Sequence, residues 1–249
     1  MSQQNPYTAP QSNLYGGGVP MANVSLPREM LVVADGMKFI LWGLVVFLFS
    51  ILLAFVLVRS GPDGAQPEGP MVMGLNVLGI VGQVLTLIGM FKCTHIPVET
   101  GAKSMAQLAF YGNIVVIALS LIIKFVPWTV TETTIKLLFV LAIGSLILNL
   151  VAYFAFLSFL KKTSTYLGDA LSVERSSRLM TLVIVFGVST VGIMLITLSA
   201  LFGGQAPGSG MAMLIMVLGL VALVTGIWAL IVYVGTVTRI RSVIEAGVR

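Results

Sequence analysis

Cys93 and His95 are the only cysteine and the only histidine of the chain, and they lie two residues apart within residues 89–101, GMFKCTHIPVETG. A thiolate and an imidazole are side chains that bind zinc and take part in nucleophilic catalysis. A structural zinc site needs about four ligands and a catalytic one about three. This pair would therefore need Glu99, Asp169 or a second copy of the chain to complete a metal site.

The same pair has a simpler interpretation as part of a membrane boundary. Lys92 and His95 are amphipathic side chains that suit the headgroup layer of a bilayer. A thiol nucleophile also needs a base and an oxyanion site, and the sequence supplies neither. We therefore expect Cys93 and His95 to face the headgroups, and we predict no bound metal, no cofactor and no enzymatic activity.

The composition of the chain is that of a membrane protein. Of its 249 residues, 57% are hydrophobic and 9% are charged, whereas a soluble domain has about 25% charged residues. The net charge of +5 is modest, and no basic patch is interleaved with aromatic residues, so nucleic acid is not an expected partner. A single cysteine excludes an intramolecular disulfide.

Six apolar segments without any Asp, Glu, Lys, Arg or His follow one another along the chain. They cover residues 39–58, 71–91, 106–123, 137–160, 179–202 and 211–234. Each segment is long enough to span a bilayer as a helix. We predict an all-α, polytopic membrane protein with six transmembrane helices in a domain of residues 31–241, followed by a short cytoplasmic end at residues 242–249.

Residues 1–30 are predicted to be a disordered cytoplasmic tail, because the first 27 residues carry no charge and are rich in Gln, Asn, Ser, Gly and Pro. They also lack the basic start and apolar core of a signal peptide. Residues 5–10, NPYTAP, resemble a short N-terminal element, N-P-Y-x-x-P, of uncharacterised planctomycete proteins that include multi-span membrane proteins. This resemblance covers six residues and implies a bacterial inner-membrane setting without any particular activity.

The orientation follows from the basic residues at the two ends of the predicted spans. The side with both termini holds eleven: Arg28, Lys38, Lys92, Lys103, Lys161, Lys162, Arg175, Arg178, Arg239, Arg241 and Arg249. The other side holds three: Arg59, Lys124 and Lys136. Since basic residues accumulate on the cytoplasmic side, both termini are predicted to be cytoplasmic, at the cell inner membrane. Contact with lipid headgroups is expected for Lys92, Lys161, Lys162, Arg239 and Arg241.

The chain is predicted to contain three helical hairpins in tandem. Residues 98–103, VETGAK, precede span three and match residues 173–178, VERSSR, which precede span five. A glutamate in the first turn of a helix suits the helix dipole and can pair with a base four residues later. Glu99 and Lys103 are therefore expected to begin span three.

A polar side chain lies near the middle of every predicted span. The layer consists of Ser50, Gln83, Asn113, Asn149, Ser189, Thr190 and Thr225. A carboxamide in hydrocarbon needs a hydrogen-bonding partner. We favour interhelical hydrogen bonds, worth about 0.6 kcal/mol each, because no ionisable group marks an ion path or proton relay. The alternative is a midplane binding site for an uncharged or weakly polar solute.

Small residues form two helical stripes. Their members are Gly79, Gly82 and Gly89 in span two, and Gly219, Ala222 and Gly226 in span six. Such stripes let membrane helices approach closely. We predict close helix packing at both stripes, and a glycine-flexed gate is the alternative.

These features leave three classes of function. The favoured one is a non-enzymatic scaffold or subunit of a membrane complex, because the spans are rich in glycine and free of charge and the tail is flexible. The alternative is a transporter or channel for a neutral or lipid-like solute that uses the polar layer. An intramembrane enzyme is least supported, since no catalytic pair, metal cluster or phosphate loop is present in the sequence. The expected partners are the lipid bilayer, a membrane or cytoplasmic protein and, in a homo-oligomer, a second copy of the chain.

Overall fold

The computed structural model describes residues 26–60, 70–125, 132–203 and 209–248. These residues form six α-helices and no strand: α1 (Glu29–Ser60), α2 (Pro70–Cys93), α3 (Lys103–Phe125), α4 (Glu132–Tyr166), α5 (Ala170–Gly203) and α6 (Ser209–Gly247). All six are long and apolar enough to cross a membrane. The predicted all-α fold with six membrane-spanning helices is confirmed. Arg249 and the predicted tail up to residue 25 lie outside the described residues.

Several helices extend beyond the predicted apolar segments at the end of the bundle that holds most basic residues, which we call the basic end. There α1 begins at Glu29, α4 continues to Tyr166 and α6 continues to Gly247. The predicted cytoplasmic end after residue 241 is therefore helical as far as Gly247. The backbone N–H of Leu26 donates to the carbonyl of Gly247 at 3.1 Å, so the start of the described chain is held against the end of α6.

The helices pack as three tandem hairpins. The most extensive helix contacts are those of α1 with α2, α5 with α6 and α3 with α4. The hairpins join through smaller contacts of α4 with α5, α1 with α6 and α2 with α3. The contact of α1 with α6 brings the first and last helices together and closes the bundle.

The packed core occupies only the half of the bundle nearer the basic end. All buried hydrophobic residues of the described chain lie there, from residues 30–40 on α1 to residues 229–244 on α6. Toward the other end, which we call the opposite end, the described helices bury no large side chain, and residues 210–214 of α6 are exposed at every position. Among the described residues, the bundle is therefore closely packed at the basic end and less closely packed toward the opposite end.

Two pairs of glycines bring α1 and α2 to backbone contact. A Cβ added at Gly36 would lie 2.7 Å from the carbonyl oxygen of Gly89, and one at Gly43 would lie 2.7 Å from that of Gly82. The seven-residue spacing, about two helical turns, keeps both pairs on one face of each helix. Because lipid tails are as apolar as the side chains, helices in a membrane associate through such close packing.

The other predicted small-residue positions pack less closely. Gly79 and Gly219 have no described atom within 4 Å of the place where a Cβ would lie, so the predicted close packing does not occur there against the described residues. A Cβ at Gly226 would lie 3.3 Å from the ring of Phe186 on α5, and Ala222 is half-buried. The stripe on α6 therefore contacts α5 mainly at Gly226.

The two matched sequence segments adopt different conformations. In the second match, inside α5, Nη2 of Arg178 donates to Oε1 of Glu174 at 2.6 Å. In the first match, Glu99 lies in a short 3-10 turn and Gly101 has a φ of 62°, a left-handed conformation that glycine adopts without strain. The expectation that Glu99 begins span three is wrong, because this turn separates it from α3, which begins at Lys103.

Candidate functional site: a cavity lined by three carboxamides

A cavity of about 250 Å³ lies between five of the six helices, where the packed core ends. Its lining includes three of the predicted mid-span residues: Gln83 on α2, Asn113 on α3 and Asn149 on α4. The other polar lining residues are Thr86, Ser120, Tyr153 and Tyr233. No described lining residue carries a formal charge.

Helical spacing places the lining residues on the inner faces of three helices. On each of these helices the lining follows an i, i+3, i+4, i+7 pattern, which defines one helix face. The residues are Ile40, Gly43, Leu44 and Phe47 on α1, Gln83, Thr86, Leu87 and Met90 on α2, and Asn113, Val116, Ile117 and Ser120 on α3. The cavity wall is thus mostly apolar, with polar groups at a few positions.

Packed side chains close the cavity toward the basic end. The rings of Tyr153 on α4 and Tyr233 on α6 have centroids 6.0 Å apart, and Phe156 lies 6.2 Å from Tyr233. Ile40 and Met90 are buried beside the cavity at the same end. Beyond these residues the core is continuous to the basic end.

Polar side chains continue from the cavity toward the opposite end. Asn76 lies two helical turns before Gln83 on the same face of α2 and is exposed. Ser120 lies two turns beyond Asn113 on α3 and is part of the lining. Asn149 is exposed although it lines the cavity. The described helices bury no hydrophobic side chain on this side of the cavity.

The polar layer is not joined by hydrogen bonds between helices. Four members donate to a carbonyl of their own helix at 2.7–2.9 Å: Ser50, Asn113, Thr190 and Thr225. Gln83 and Asn149 form no hydrogen bond with any described residue. Ser189 is buried. The hydroxyl residues of the layer, Ser50, Ser189, Thr190 and Thr225, do not line the cavity. The interhelical hydrogen bonds that the sequence led us to favour are therefore absent among the described residues.

Cys93 and His95 point in different directions. Cys93 is 1% exposed and its Sγ lies 4.0 Å from the carbonyl oxygen of Val33, in the contact between α1 and α2. The expectation that Cys93 faces the headgroups is wrong, because it continues the α1-facing side of α2 one turn after Gly89. His95 is exposed, with Nδ1 3.2 Å from the carbonyl oxygen of Phe91. In the described ranges, no three His, Cys, Asp or Glu side chains are grouped closely enough to hold a metal ion.

Three of the five basic residues predicted at the headgroups form ion pairs. The pairs are Lys92 with Asp35, Arg239 with Asp169, and Arg241 with Glu245. Lys162 donates to the carbonyl of Gly101 at 3.0 Å, and Lys161 is half-buried. Pairing with acids reduces the positive charge that Lys92, Arg239 and Arg241 can offer to an anionic headgroup.

The turn between α4 and α5 is fixed by Gly168 and Asp169. Gly168 has a φ of 69°, its N–H donates to the carbonyl of Thr165 at 3.1 Å, and the N–H of Asp169 donates to that of Ser164 at 3.0 Å. These two bonds form a Schellman motif, a common end of an α-helix. Asp169 then caps α5, because its carboxylate accepts from Oγ of Ser172 at 2.7 Å and from the Ser172 N–H at 3.4 Å.

Asp169 also joins this turn to α6 through an ion pair. Nε and Nη2 of Arg239 donate to its carboxylate at 2.8 and 3.2 Å. Burial raises the pKa of Asp169, but the hydrogen bonds from Arg239 and Ser172 outweigh burial, so the pKa lies below its ordinary value. A carboxylate whose pKa is lower in the folded state stabilises the fold in its charged form.

Asp169→Asn is expected to lower the unfolding temperature at neutral pH. The contribution of the carboxylate is complete above its ordinary pKa of about 3.9 and is lost as the pH falls through the lower pKa of the folded state. The difference between wild type and Asp169→Asn, measured by thermal unfolding in detergent, should therefore shrink in acid. Asp169→Ala should cost about 1 kcal/mol more, because it also removes the cap. A difference that persists undiminished in acid would contradict the ion-pair argument.

The chain matches no protein-family model, and it has no match among curated proteins or among solved structures. The described lining offers hydrogen-bond donors, hydrogen-bond acceptors and apolar contact surface. Those groups recognise an uncharged molecule with both polar and apolar parts.

Proposed function

We propose that this integral membrane protein binds an uncharged, hydrogen-bonding solute in the midplane cavity and is a transporter or channel for it. The observation that carries the proposal is the convergence of Gln83, Asn113 and Asn149 on one cavity. Three carboxamides from three helices meet there without a charged residue in the described lining. Small-molecule sites are typically concave and mostly apolar, with a few convergent polar groups.

The unpaired state of Gln83 and Asn149 supports this proposal. A carboxamide without a partner in a dry, apolar environment costs several kcal/mol, so these side chains require water or a solute beside them. The cavity of about 250 Å³ has the volume of about eight water molecules at about 30 Å³ each. A small solute fits that volume and can satisfy the amides.

The distribution of basic residues indicates the side of the membrane from which the solute enters the cavity. If the basic end faces the cytoplasm, as the positive-inside rule predicts, the packed core closes the cavity on the cytoplasmic side. The solute then enters from the outer side of a bacterial inner membrane. Transport would require the contacts around Tyr153, Phe156 and Tyr233 to open, as alternating access to a midplane site demands.

Single cysteines at Asn113 and Asn149 test this proposal in intact membranes, in a Cys93→Ala background. A hydrophilic, membrane-impermeant thiol reagent added at the opposite end should label both positions, because a water-filled cavity exposes the thiols. Val115→Cys and Val151→Cys are matched controls on the lipid-facing sides of the same helices, and they should react at least about tenfold more slowly for want of water. Absence of labelling at both Asn113 and Asn149 would refute the proposal.

A scaffold or subunit of a membrane complex is the second candidate, favoured by the start of α6. Residues 210–214 are exposed at five consecutive positions, so no face of this turn packs against the described residues. A helix of a partner protein, or of a second copy of the chain, could cover such a surface by close packing. This candidate predicts a stably co-purifying partner, and it would become the better proposal if the cavity cysteines fail to react. Neither candidate involves catalysis.

A further inference from the structure

We infer that the cavity selects a small neutral molecule rich in hydrogen-bond donors, of the polyol class. The inference rests on the proposed function, since it assigns a ligand class to the same cavity. It follows from the donors and acceptors that the lining side chains leave free.

Three polar side chains of the lining use a hydrogen-bond donor on a backbone carbonyl of their own helix. Nδ2 of Asn113 donates to the carbonyl of Ala109 at 2.9 Å. Because a carbonyl can only accept, the amide nitrogen must face it, and Oδ1 remains the free acceptor of Asn113. The hydroxyls of Thr86 and Ser120 likewise donate to the carbonyl four residues earlier, both at 2.9 Å. Each of these hydroxyls can offer a ligand only an acceptor oxygen.

The other two carboxamides leave the lining with more hydrogen-bond acceptors than donors. Gln83 and Asn149 have no hydrogen bond to a described residue, so each offers one acceptor oxygen and one NH₂ group. Together with Asn113, Thr86 and Ser120, the lining presents five acceptor oxygens, which have two lone pairs each. The donors are fewer: five free amide hydrogens, two each on Gln83 and Asn149 and one on Asn113, and the hydroxyl hydrogens of the two lining tyrosines. The site therefore has more capacity to accept than to donate.

A polyol complements this arrangement. Every hydroxyl donates one hydrogen to an acceptor oxygen and can accept from an amide, while its carbon chain contacts apolar wall residues such as Leu87 and Ile117. An ammonium or carboxylate ligand would lose its hydration without gaining an opposite charge from the described lining, which is costly. The cavity of about 250 Å³ accommodates a four-carbon polyol such as erythritol.

Protection from labelling tests this ligand class. Val116→Cys, in the Cys93→Ala background, places a thiol in the lining and leaves all of its polar groups in place. Erythritol should slow the reaction of this thiol with the hydrophilic reagent. The tetramethyl ether of erythritol, which has no donor, should require at least about a tenfold higher concentration for the same effect, because donors are what the acceptor oxygens recognise.

Matched variants localise the effect to the cavity. Ser120→Ala removes one acceptor oxygen and should raise the half-protecting erythritol concentration about tenfold, as should the volume-matched Asn113→Leu. Thr190→Val is the control, because Thr190 makes the same bond to its own helix but is not in the lining. Equal protection by erythritol and its ether, or none by either, would overturn the polyol inference while leaving the proposed function intact. Failure of the cysteines at Asn113 and Asn149 to react would overturn both.

Discussion

Gly89→Leu is expected to destabilise the protein strongly. A Cβ at this position would lie 2.5 Å from the carbonyl oxygen of Gly36 and 2.8 Å from the backbone nitrogen of Ile40. Both are backbone atoms of α1 and cannot turn aside as the end of a flexible side chain could. A leucine would therefore force α1 and α2 apart along the whole contact, including the pair Gly43 and Gly82.

The expected magnitude lies at the upper end of the overpacking range, about 3 kcal/mol. For a chain of this length that corresponds to a loss of roughly 6–12 °C in the unfolding temperature, measured by thermal unfolding in detergent. Gly219→Leu is the matched control, because it makes the same change where no described atom lies within 4 Å, and it should leave the unfolding temperature unchanged. Equal unfolding temperatures for the two variants would show that the glycine contact does not hold the hairpin together.

This contact also explains what the sequence could and could not predict about α2. Gly82 and Gly89 were predicted from their spacing to allow close packing, but the helix they would face was unknown. The partner glycines Gly36 and Gly43 are spaced by the same seven residues, but Gly36 lies before the first predicted span, so a comparison of the spans alone would have missed the pair. Cys93 likewise lies just beyond the second predicted span, one turn after Gly89.

The fold itself was predictable because one physical requirement dominates it. A segment that crosses a bilayer must be apolar for about 20 residues, and six segments meet that condition. The extensions of α1, α4 and α6 were not predictable from hydropathy, because they carry charged residues. Lys92 with Asp35 and Arg239 with Asp169 join separate elements, and long-range pairs of this kind depend on how the helices are arranged.

The depth of the three carboxamides was predictable from the sequence, but their hydrogen-bonding partners were not. Spacing alone placed Gln83, Asn113 and Asn149 at one depth, and the structure brings them to one cavity. Whether they bond to each other or face a space depends on the rotation of each helix about its axis. That rotation is set by contacts such as Gly112 against Ala152, which are properties of the packed bundle.

Val116→Trp is expected to abolish access to the cavity. Val116 lines the cavity on α3, and the nearby contact of Gly112 with Ala152 places it at about the level of Asn149 on the antiparallel α4. An indole at this position would occupy the space in front of Asn149. Labelling of Asn149→Cys by the hydrophilic reagent should then slow by more than about tenfold, since the thiol loses contact with water.

Val115→Trp separates this effect from a general disturbance of α3. Val115 is 46% exposed and is not in the cavity lining, so the same added volume lies among lipids and should leave labelling of Asn149→Cys unchanged. The unfolding temperatures of the two variants should be similar, because an existing cavity accepts the larger side chain without the overpacking that Gly89→Leu creates. If Val116→Trp leaves the labelling rate unaltered, water reaches Asn149 by a route other than the cavity. Slowed labelling together with unchanged capture of any co-purifying protein would favour the solute site over the scaffold, because only the solute site needs the cavity to be open.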